Sequence, residues 1–464
     1  MKRALFISFY LLLLLGLSAS EKPNFIVIFT DDLGYQDVGC FGSPNIKTPN
    51  IDRMAAEGMK FTSFYAMTVC GPSRAALMTG SYPLRTAKQN NKVEIHPHLH
   101  LNEITIAEVL KPAGYTSGCF GKWDLAGHNP YKYDPALLPL KQGFDYFFGT
   151  PASNDSVVSL LRGQEMIEKK ADMSTLTKRY TDEAISFIKS NKDKPFFVYL
   201  AHTMPHTKLA VSEEFKGKSQ RGLYGDVVEE IDFNVGKILD TVKELNLDEK
   251  TYVIFTSDNG PWHLRKEHGG SALPLRGAKT STWEGGVRVP FVIRAPGKVA
   301  AGKVSKNIAM TMDLLPTFAK LAGAQIPTDR KLDGVDISEL LHGTKEEIPD
   351  RTYFYYQHVH LQAVRKGKWK LHLPRKAQPD WAPKWANHSL KKDVIDIPKP
   401  LLINLEEDIE ETTNLADKHP EIVKELLKLA EAASNDIGDY DRAGKGARFY
   451  DPEPIRPDTK KWKK

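Results

Sequence analysis

The sequence predicts an α/β protein with a large, mostly parallel sheet flanked by helices and a smaller C-terminal domain of antiparallel sheet plus one helix. From Asn24 onward, short apolar runs alternate with helical patterns, which is typical of a parallel sheet covered by helices. After about residue 345, the pattern changes to short strands at hairpin-like spacing. The chain of 464 residues also exceeds what one hydrophobic core usually organises. We therefore expect a large domain over residues 21–345 and a small one over 346–464.

The elements of the large domain follow from their apolar patterns. Residues 25–30 (FIVIFT) form an unbroken β-branched and aromatic run, as expected of a buried strand. Thr48 and Pro49 suit the N-cap and first turn of a helix, and Gly58 suits its end. Other apolar runs predict strands, and apolar spacings of three and four predict helices. These strands are 116–120, 196–200, 252–256 and 289–293, and the helices are 182–190, 224–245 and 313–321.

The small domain has elements of a different kind. Three short runs predict an antiparallel sheet, and one amphipathic segment predicts a helix that covers it. The strands are 351–357, 362–365 and 369–373, and the helix is 419–433. We expect this unit to pack on the large domain.

The first twenty residues have the composition of a secretory signal peptide. Lys2 and Arg3 precede the apolar stretch 4–17, and small residues at 18–20 provide a cleavage site. The apolar stretch is shorter than the roughly 20 residues that a membrane-spanning helix needs. We expect a secreted or periplasmic protein without a membrane span. The alternative is an uncleaved anchor.

Composition and charge exclude several classes of protein. With 41% hydrophobic and 26% charged residues, the chain has the usage of a globular protein rather than a disordered or fibrous one. Three cysteines are too few for a disulfide-built scaffold. The formal charge of +6 falls to +4 without Lys2 and Arg3, and no long basic stripe precedes the C-terminal lysines. We therefore expect no nucleic-acid partner.

Oxygen-bearing side chains follow two of the predicted strands. Asp31 and Asp32 come directly after the first strand, and Asp258 and Asn259 follow the strand of the segment YVIFTS. Ligands of α/β proteins bind beyond the carboxyl ends of parallel strands, so both pairs are expected at the same edge of the sheet. Three carboxylates and an amide oxygen suit Ca²⁺ or Mg²⁺ better than zinc. The alternative is that both pairs are turn residues.

The segment 70–80 (CGPSRAALMTG) places a cysteine at the start of a helix. Pro72 suits the first turn, so Cys70 is predicted to lie just before the helix N-terminus. Backbone N–H groups and the helix dipole stabilise an anion there. Arg74 falls on the same side of the turn, where its guanidinium is placed to hold that anion. The residues alone indicate an activated nucleophile facing an oxyanion, and the alternative is a buried thiol.

The same segment resembles the maturation motif of the type I, formylglycine-dependent sulfatases, an arylsulfatase-like family of the alkaline phosphatase superfamily. The family motif is Cys-x-Pro-Ser-Arg followed by Leu/Met-Thr-Gly, which the segment 70–80 matches. The likeness continues in order through almost the whole mature chain, so coincidence is negligible. The other similar segments are 24–42, 48–58, 121–123, 257–261, 276–288, 313–317, 332–334, 364–371 and 404–416.

This resemblance implies an alkaline-phosphatase-like fold and a sulfuric ester hydrolase. In the family, a maturation enzyme oxidises the cysteine to Cα-formylglycine, which is the catalytic residue, and this implies the same modification of Cys70. The family also implies one bound Ca²⁺ and a sulfate ester as substrate. Export and modest positive charge favour a sulfated carbohydrate. The metal ligands implied are Asp31, Asp32, Asp258, Asn259 and the modified Cys70.

Residue by residue, the resemblance also implies how the substrate is held. Arg74 would anchor the formylglycine, and Lys122 and Lys279 would hold sulfate oxygens, a point-charge role that suits lysine. His206 matches the sulfate-binding histidine and would protonate the leaving oxygen, since a histidine can supply a proton near neutral pH. His202 lies close to it in sequence and is the alternative.

One position departs from the family pattern. The family has Gly-Lys-Trp-His, whereas Asp124 follows Trp123 in this chain. The family histidine contacts the formylglycine hydroxyls and helps to regenerate the aldehyde. Asp124 can accept a hydrogen bond there, but it adds negative charge to a site that binds sulfate. We predict a catalytic role for Asp124 as acceptor and base, and His128 is a candidate to compensate for the missing histidine.

Two other functions remain open at this stage. A formylglycine-dependent phosphodiesterase or phosphonate monoester hydrolase shares the nucleophile motif. Asp124 also raises the alternative of an inactive relative that binds sulfated glycans without releasing sulfate. The intact motif at Cys70 favours an enzyme, because a pure binding protein has no need of an oxidised nucleophile. The sequence does not decide whether Cys40 and Cys119 pair.

Overall fold

The computed structural model describes residues 22–87, 99–377 and 390–449. The predicted signal peptide, residues 1–20, lies outside them. Within the described ranges, no helix is long and apolar enough to cross a lipid bilayer. All three cysteines are described, and Cys40, Cys70 and Cys119 are free thiols.

The strands form one large mixed sheet, one small antiparallel sheet and two short pairs. In chain order they are β1 (Asn24–Thr30), β2 (Met59–Tyr65), β3 (Thr86–Ala87), β4 (Thr116–Lys122), β5 (Tyr146–Thr150), β6 (Leu160–Arg162), β7 (Glu165–Glu168), β8 (Phe196–Ala201), β9 (Thr251–Ser257), β10 (Arg288–Arg294), β11 (Lys303–Ser305), β12 (Ala309–Met310), β13 (Thr352–Gln357), β14 (His360–Lys366), β15 (Trp369–His372), β16 (Leu401–Asn404), β17 (Gly438–Asp439), β18 (Arg442–Ala443) and β19 (Arg448–Phe449). The large sheet has the order β11-β2-β10-β9-β1-β8-β4-β5-β6-β7, and β12 pairs with β2. Its central strands, from β9 to β5, are parallel to one another.

Helices cover both faces of the large sheet. In chain order they are α1 (Pro49–Ala56), α2 (Cys70–Thr79), α3 (Ile106–Leu110), α4 (Leu176–Ser190), α5 (Gly222–Glu244), α6 (Glu284–Val287), α7 (Leu314–Ala322), α8 (Ser338–Leu341) and α9 (Pro420–Asp436). One core lies between the sheet and α2, α3, α7 and α8, and the other lies under α1, α4 and α5. Alternate side chains of β1 enter the two cores, so β1 is buried on both faces. Burial on both faces explains its unbroken apolar run.

The small sheet consists of β13 to β16 in antiparallel order and is covered by α9. Its core is shared with residues of the large sheet and α2, among them Tyr65 and Ala76. Lys370 Nζ lies 3.0 Å from Glu284 Oε1 and 2.7 Å from Glu411 Oε1, with all three side chains fully buried. Because an unpaired buried charge is costly, this cluster fixes the small sheet against α6. The exact domain limits, 21–345 and 346–464, stay a prediction.

The predicted fold class is confirmed, and the predicted strands and helices are present with shifted ends. Helix α4 begins at Leu176 rather than 182, since Leu176, Tyr180 and Ala184 continue its buried face. The predicted N-cap position of Thr48 is confirmed, but its side chain makes no capping hydrogen bond. Its hydroxyl instead accepts from the Gly39 amide at 2.7 Å. The strands that the sequence analysis missed are β2, β3, β5 to β7, β11, β12 and β16 to β19.

Candidate active site

The structure brings Asp31, Asp32, Asp258 and Asn259 together at the carboxyl ends of two neighbouring strands. β1 and β9 pair in parallel up to their last residues, so the chain segments that follow them start side by side. The Asp32 amide donates to Asp258 Oδ1 at 3.1 Å, and Asn259 Nδ2 donates to Asp32 Oδ1 at 2.7 Å. All four side chains are buried. Their oxygens therefore form one compact cluster away from solvent.

Cys70 is the first residue of α2, not the residue before the helix, and Val69 is the N-cap. Its Sγ, one oxygen of Asp31 and one oxygen of Asp258 all lie within 4.8 Å of one another. Burial raises the pKa of the Cys70 thiol, although Lys122 and Lys279 act in the opposite direction. The activated nucleophile predicted from the helix position is therefore wrong for the unmodified thiol, because lost hydration outweighs the nearby positive charges.

Arg74 is fixed by the carboxylate cluster and by β4. Its Nη2 donates to Asp258 Oδ2 at 2.8 Å and lies 3.8 Å from Asp31 Oδ2. Its Nη1 donates to the carbonyl of Lys122 at 3.0 Å. Its place in the first turn of α2 predicts contact with an anion at Cys70, but its two terminal nitrogens donate to Asp258 and to the Lys122 carbonyl. A buried guanidinium requires such fixed partners, since otherwise its desolvation is uncompensated.

Two lysines complete the charge pairing of the cluster. Lys122, the last residue of β4, places its Nζ 2.7 Å from Asp31 Oδ2. Lys279 places its Nζ 2.7 Å from Asp32 Oδ1. Burial is the largest single influence and disfavours both ammonium groups, but the surrounding acidic groups, led by Asp31 for Lys122 and Asp32 for Lys279, together raise the pKa of each lysine. Each ammonium has three N–H donors, so both can hold a carboxylate and an anionic ligand together.

His206 lies at the cluster, whereas His202 does not contact it. His206 Nε2 is 3.7 Å from Asp32 Oδ2 and 3.7 Å from Asp155 Oδ1. The half-buried ring of Trp262 packs 5.4 Å from the ring of His206, measured between centroids. The ring nitrogens of His202 have no hydrogen-bond partner among the described residues, and burial lowers the pKa of His202 to about 3. His202 is therefore a neutral, packed side chain.

Asp124 belongs to a chain of hydrogen-bonded groups at the edge of the cluster. Its Oδ1 accepts from His128 Nδ1 at 2.8 Å, and His128 Nε2 lies 3.1 Å from Asp155 Oδ2. Asp124 Oδ2 is buried 3.5 Å from Lys122 Nζ and has no hydrogen-bond partner within the described residues. Burial opposes its ionisation, but Lys122 and His128 hold the pKa of Asp124 well below its usual range. Asp124 is therefore a carboxylate with one oxygen uncommitted.

The donor set fits a divalent cation with oxygen ligands. Asp31 Oδ1 and Asn259 Oδ1 are buried without a hydrogen-bond partner in the described structure. Burial and the neighbouring Asp31 raise the pKa of Asp258. At Asp31, burial acts in the same direction, but the surrounding cationic groups, Lys122 first, together hold the pKa below its usual range. Such a conflict between adjacent carboxylates is what a bound cation relieves. Carboxylate and amide oxygens are the ligands that Ca²⁺ and Mg²⁺ prefer.

Three residues near the cluster were not predicted from the sequence to belong to the site. Ser153 Oγ lies 3.4 Å from Lys122 Nζ, Asp155 contacts both histidines of the site, and Trp262 contacts His206. The sequence offers one indication for Trp262, because this residue directly follows the segment 257–261, which contains two of the predicted metal ligands. The sequence offers no such indication for Asp155, because its contacts with His128 and His206 form only when the chain folds.

Comparison with known proteins identifies the family to which this chain belongs. The sulfatase family profile matches residues 23–324, and the profile for the C-terminal region of aryl-sulfatase matches residues 348–452. The chain belongs to the sulfatase family. This sulfatase is 40% identical to N-acetylgalactosamine-6-sulfatase of Mus musculus over 390 residues, which covers 78% of this chain and 74% of the mouse protein. It is 37% identical to arylsulfatase A of Homo sapiens, over 91% of this chain and 90% of the human protein.

A solved structure gives the same result for the fold. The sulfatase superposes with a TM-score of 0.78 on a protein from work on glycosaminoglycan metabolism by Bacteroides thetaiotaomicron. That protein is 28% identical, and the match covers 89% of this chain and 99% of the other. The predicted membership in the type I sulfatases of the alkaline phosphatase superfamily is confirmed. So is the prediction that the protein is a sulfuric ester hydrolase.

The pairing of His128 with Asp124 predicts a pH-dependent contribution to the stability of this sulfatase. Asp124 raises the pKa of His128 to about 10, against about 6.5 in an unfolded chain. Because the folded state binds the proton more tightly, this stabilisation is complete below about pH 6.5 and is lost as the pH rises towards about 10. The difference in Tm between wild type and His128→Gln should therefore be largest near about pH 6 and shrink towards about pH 9.5.

Thermal unfolding followed by circular dichroism at several pH values measures this difference. His268→Gln, in an exposed loop, is the control and should leave Tm almost unchanged at each pH. A Tm difference for His128→Gln that is constant across the range would contradict a charged pair with Asp124.

Proposed function

We propose that this sulfatase hydrolyses the sulfate esters of a sulfated carbohydrate, using a formylglycine made from Cys70 and one bound Ca²⁺. The observation that carries the proposal is the position of Cys70. Its sulfur lies beside oxygens of Asp31 and Asp258, in a buried site that also contains Lys122 and Lys279. The relative named N-acetylgalactosamine-6-sulfatase supports a sugar as the alcohol of the ester.

The residues at the strand ends would hold the metal. Asp31, Asp32, Asp258 and Asn259 supply oxygen ligands, and the modified Cys70 completes the set. Calcium suits this set because it accepts six to eight hard oxygen ligands in flexible geometry. When bound, the metal and the formylglycine supply an ionised hydroxyl as nucleophile for sulfur.

The chain's own cations would position the sulfate group. Lys122 and Lys279 hold its oxygens with the N–H donors that their carboxylate partners leave free. Arg74 fixes Asp258 and the β4 backbone, so it anchors the nucleophile through those groups. His206 donates a proton to the leaving oxygen, a task that its position beside Asp32 and Asp155 supports.

Asp124 would take the role of the family histidine as hydrogen-bond acceptor and base. Its uncommitted Oδ2 supports this role, since the oxygen is buried and has Lys122 as its nearest cation. His128 positions the carboxylate through Oδ1. Asp155 holds the other nitrogen of His128, so the acceptor is fixed from both ends of the imidazole.

The remaining assignments follow from the same proposal. We propose export through the N-terminal segment 1–20, to the periplasm or outside the cell, and maturation by a formylglycine-generating enzyme. We also propose that residues 21–345 carry the chemistry and that 346–464 form the smaller domain. The phosphodiesterase and silent-binder alternatives are not favoured, because the named curated relatives are sulfatases.

Protein produced together with the maturation enzyme should release sulfate from sulfated sugars, and Cys70→Ala should not. The tryptic peptide 61–74 should show the loss of one sulfur and two hydrogens and the gain of one oxygen at Cys70. Ion chromatography of released sulfate and peptide mass spectrometry measure the two results. Sulfate release by protein whose Cys70 is wholly unmodified would overturn the mechanism, and faster cleavage of a phenyl phosphate than of the phenyl sulfate would overturn the reaction class.

Removal of a charged ligand should abolish calcium binding and turnover together. Loss of outer-shell partners of metal ligands typically weakens metal affinity by about 10–100-fold, so Asp258→Ala or Asp31→Ala should weaken it at least that much. Asn259→Ala should weaken it less, because the amide is neutral. Asp37→Asn, a buried carboxylate further along the same loop, is the control. Elemental analysis with full calcium in both aspartate variants would show that the assigned ligands are wrong.

Replacement of Asp124 by asparagine should lower kcat with little change in KM. Asparagine keeps the shape of the side chain but cannot accept a proton, and loss of general base catalysis typically costs about 10²–10⁴-fold. Wild type should also remain active at lower pH than Asp124→His, because Lys122 and His128 keep the pKa of Asp124 low whereas imidazole is protonated below about pH 6.5. Steady-state kinetics between about pH 4 and about pH 8 test both points. An unchanged kcat in Asp124→Asn would make Asp124 a structural substitution only.

A further inference from the structure

A loop at the mouth of the active site carries an arginine whose charge is not paired. The loop comprises residues 262–268 and follows the ligand segment Asp258–Asn259 after two residues. Its residues from Leu264 to His268 are exposed. The ring of Trp262, at its start, lies 5.4 Å from the His206 ring and 5.0 Å from Lys279 Nζ, measured to ring centroids. The loop therefore begins in contact with two groups that we assign to the sulfate and the leaving oxygen.

Arg265 lies directly on Trp262. Its guanidinium carbon is 3.9 Å from the centroid of the Trp262 ring, which is stacking distance for a cation on an aromatic face. Among the described residues, this guanidinium has neither a carboxylate partner nor a hydrogen-bond acceptor. A guanidinium has five N–H donors. Arg265 is thus oriented by an aromatic surface while its donors remain available.

The other cations of the site do not share this property. Arg74 is committed to Asp258, Lys122 to Asp31 and Lys279 to Asp32. Each of these charges is balanced within the site, whereas that of Arg265 is not. A positive charge held in one place without a counter-charge favours an anion that arrives with the substrate.

The backbone around Arg265 is held in place. Arg221 Nη1 donates to the Glu267 carbonyl at 3.0 Å, and its Nη2 donates to the Gly269 carbonyl at 2.8 Å. The Arg265 amide itself donates to the Trp262 carbonyl at 3.1 Å. These bonds hold the backbone of the loop in place, so Arg265 loses less conformational entropy when it binds a ligand. Such preorganisation increases affinity.

We propose that Trp262 and Arg265 form a second anion subsite, which binds an oxyanion of the substrate other than the sulfate that is cleaved. This inference rests on the proposed function and names its substrate class, a glycan with at least two anionic groups. The oxyanion is a carboxylate of a uronic acid or a second sulfate ester, because both can present two oxygens to the paired N–H donors of a guanidinium.

Distances and space around the loop support this substrate class. The centroid distances of 5.4 Å and 3.9 Å place the guanidinium carbon of Arg265 within 9.3 Å of the His206 ring. This upper limit lies within the span of two linked sugar rings. A cavity of about 430 Å³ opens next to His263, and its lining combines polar residues such as Arg221 and Ser271 with apolar ones such as Ile46 and Leu273. It provides room for further sugar residues beyond the subsite.

A matched pair of variants tests the proposal. Arg265→Gln and Lys266→Gln each remove one positive charge from the same exposed loop, but of the two only Arg265 lies on Trp262. The probes are N-acetylgalactosamine 6-sulfate, its 4,6-disulfate, and a disaccharide in which the 6-sulfated sugar is linked to glucuronic acid. Arg265→Gln should lower kcat/KM about tenfold for the dianionic probes, equivalent to about 1.4 kcal/mol, and leave that for the monosulfate within about twofold of wild type. Lys266→Gln should leave all three nearly unchanged.

Binding measurements provide a readout that does not depend on turnover. In a Cys70→Ser background, calorimetric titration with the disulfate and with the uronate disaccharide should give Kd values that rise about tenfold on Arg265→Gln and that depend less on salt. Weakening of one of the two probes alone assigns the subsite to sulfate or to carboxylate.

Two results would overturn the subsite. One is an equal effect of Arg265→Gln and Lys266→Gln on the dianionic probes, and the other is an equal effect of Arg265→Gln on all probes. Failure of the proposed function looks different, because wild type would then release sulfate from none of the three sugars. The binding titrations would still decide whether Arg265 recognises the second anion.

Discussion

The pairing of buried charges at the carboxyl ends of β1, β4 and β9 is the constraint on which the rest of the site depends. Asp31, Asp32 and Asp258 are each within 2.8 Å of a cationic side chain, and the six groups are almost inaccessible to solvent. Desolvation of an unpaired ion costs several kcal/mol, so each member fixes the position of its partner. The charges are therefore arranged before any substrate arrives, as electrostatic stabilisation of a reacting group requires. The three cations are Lys122, Lys279 and Arg74.

The parallel sheet explains why this cluster lies where it does. Inside the sheet, β1 alternates between two apolar cores, so a polar side chain can follow only where the strand ends. Its neighbours β8 and β9 end at the same edge, which brings separate segments of the chain together. Helix α2 packs its apolar residues, such as Ala75 and Leu77, into one of those cores. Its first residue, Cys70, is thereby held over the strand ends.

Much of the fold and part of the site could be predicted from local pattern. Long buried strands such as β1 and β9 appear in the sequence as apolar runs. The polar residues that follow these strands could be placed at one edge of the sheet, because parallel strands end at the same edge. β7, by contrast, is half exposed and only four residues long, so its pattern resembles that of a loop. The partners of Arg74 and the contact between Asp155 and His128 also could not be predicted, because they join residues far apart in sequence. The effect of solvation also could not be predicted. Burial raises the pKa of the Cys70 thiol, whereas its position at a helix N-terminus alone would lower that pKa.

Asp124, which we propose takes the place of the family histidine, changes the charge that the substrate meets. With Asp258 ionised, as a bound cation favours, the six cluster groups balance, and Asp124, Asp155 and protonated His128 add one net negative charge. A divalent cation would then leave one net positive charge, which a single sulfate ester neutralises. A second anion on the same substrate finds no counter-charge inside this pocket and must find it at the mouth. Of the cations in the loop there, Arg265 is the one that stacks on Trp262, and no described residue neutralises its charge, so Asp124 in the pocket and a polyanionic substrate are consistent with one another.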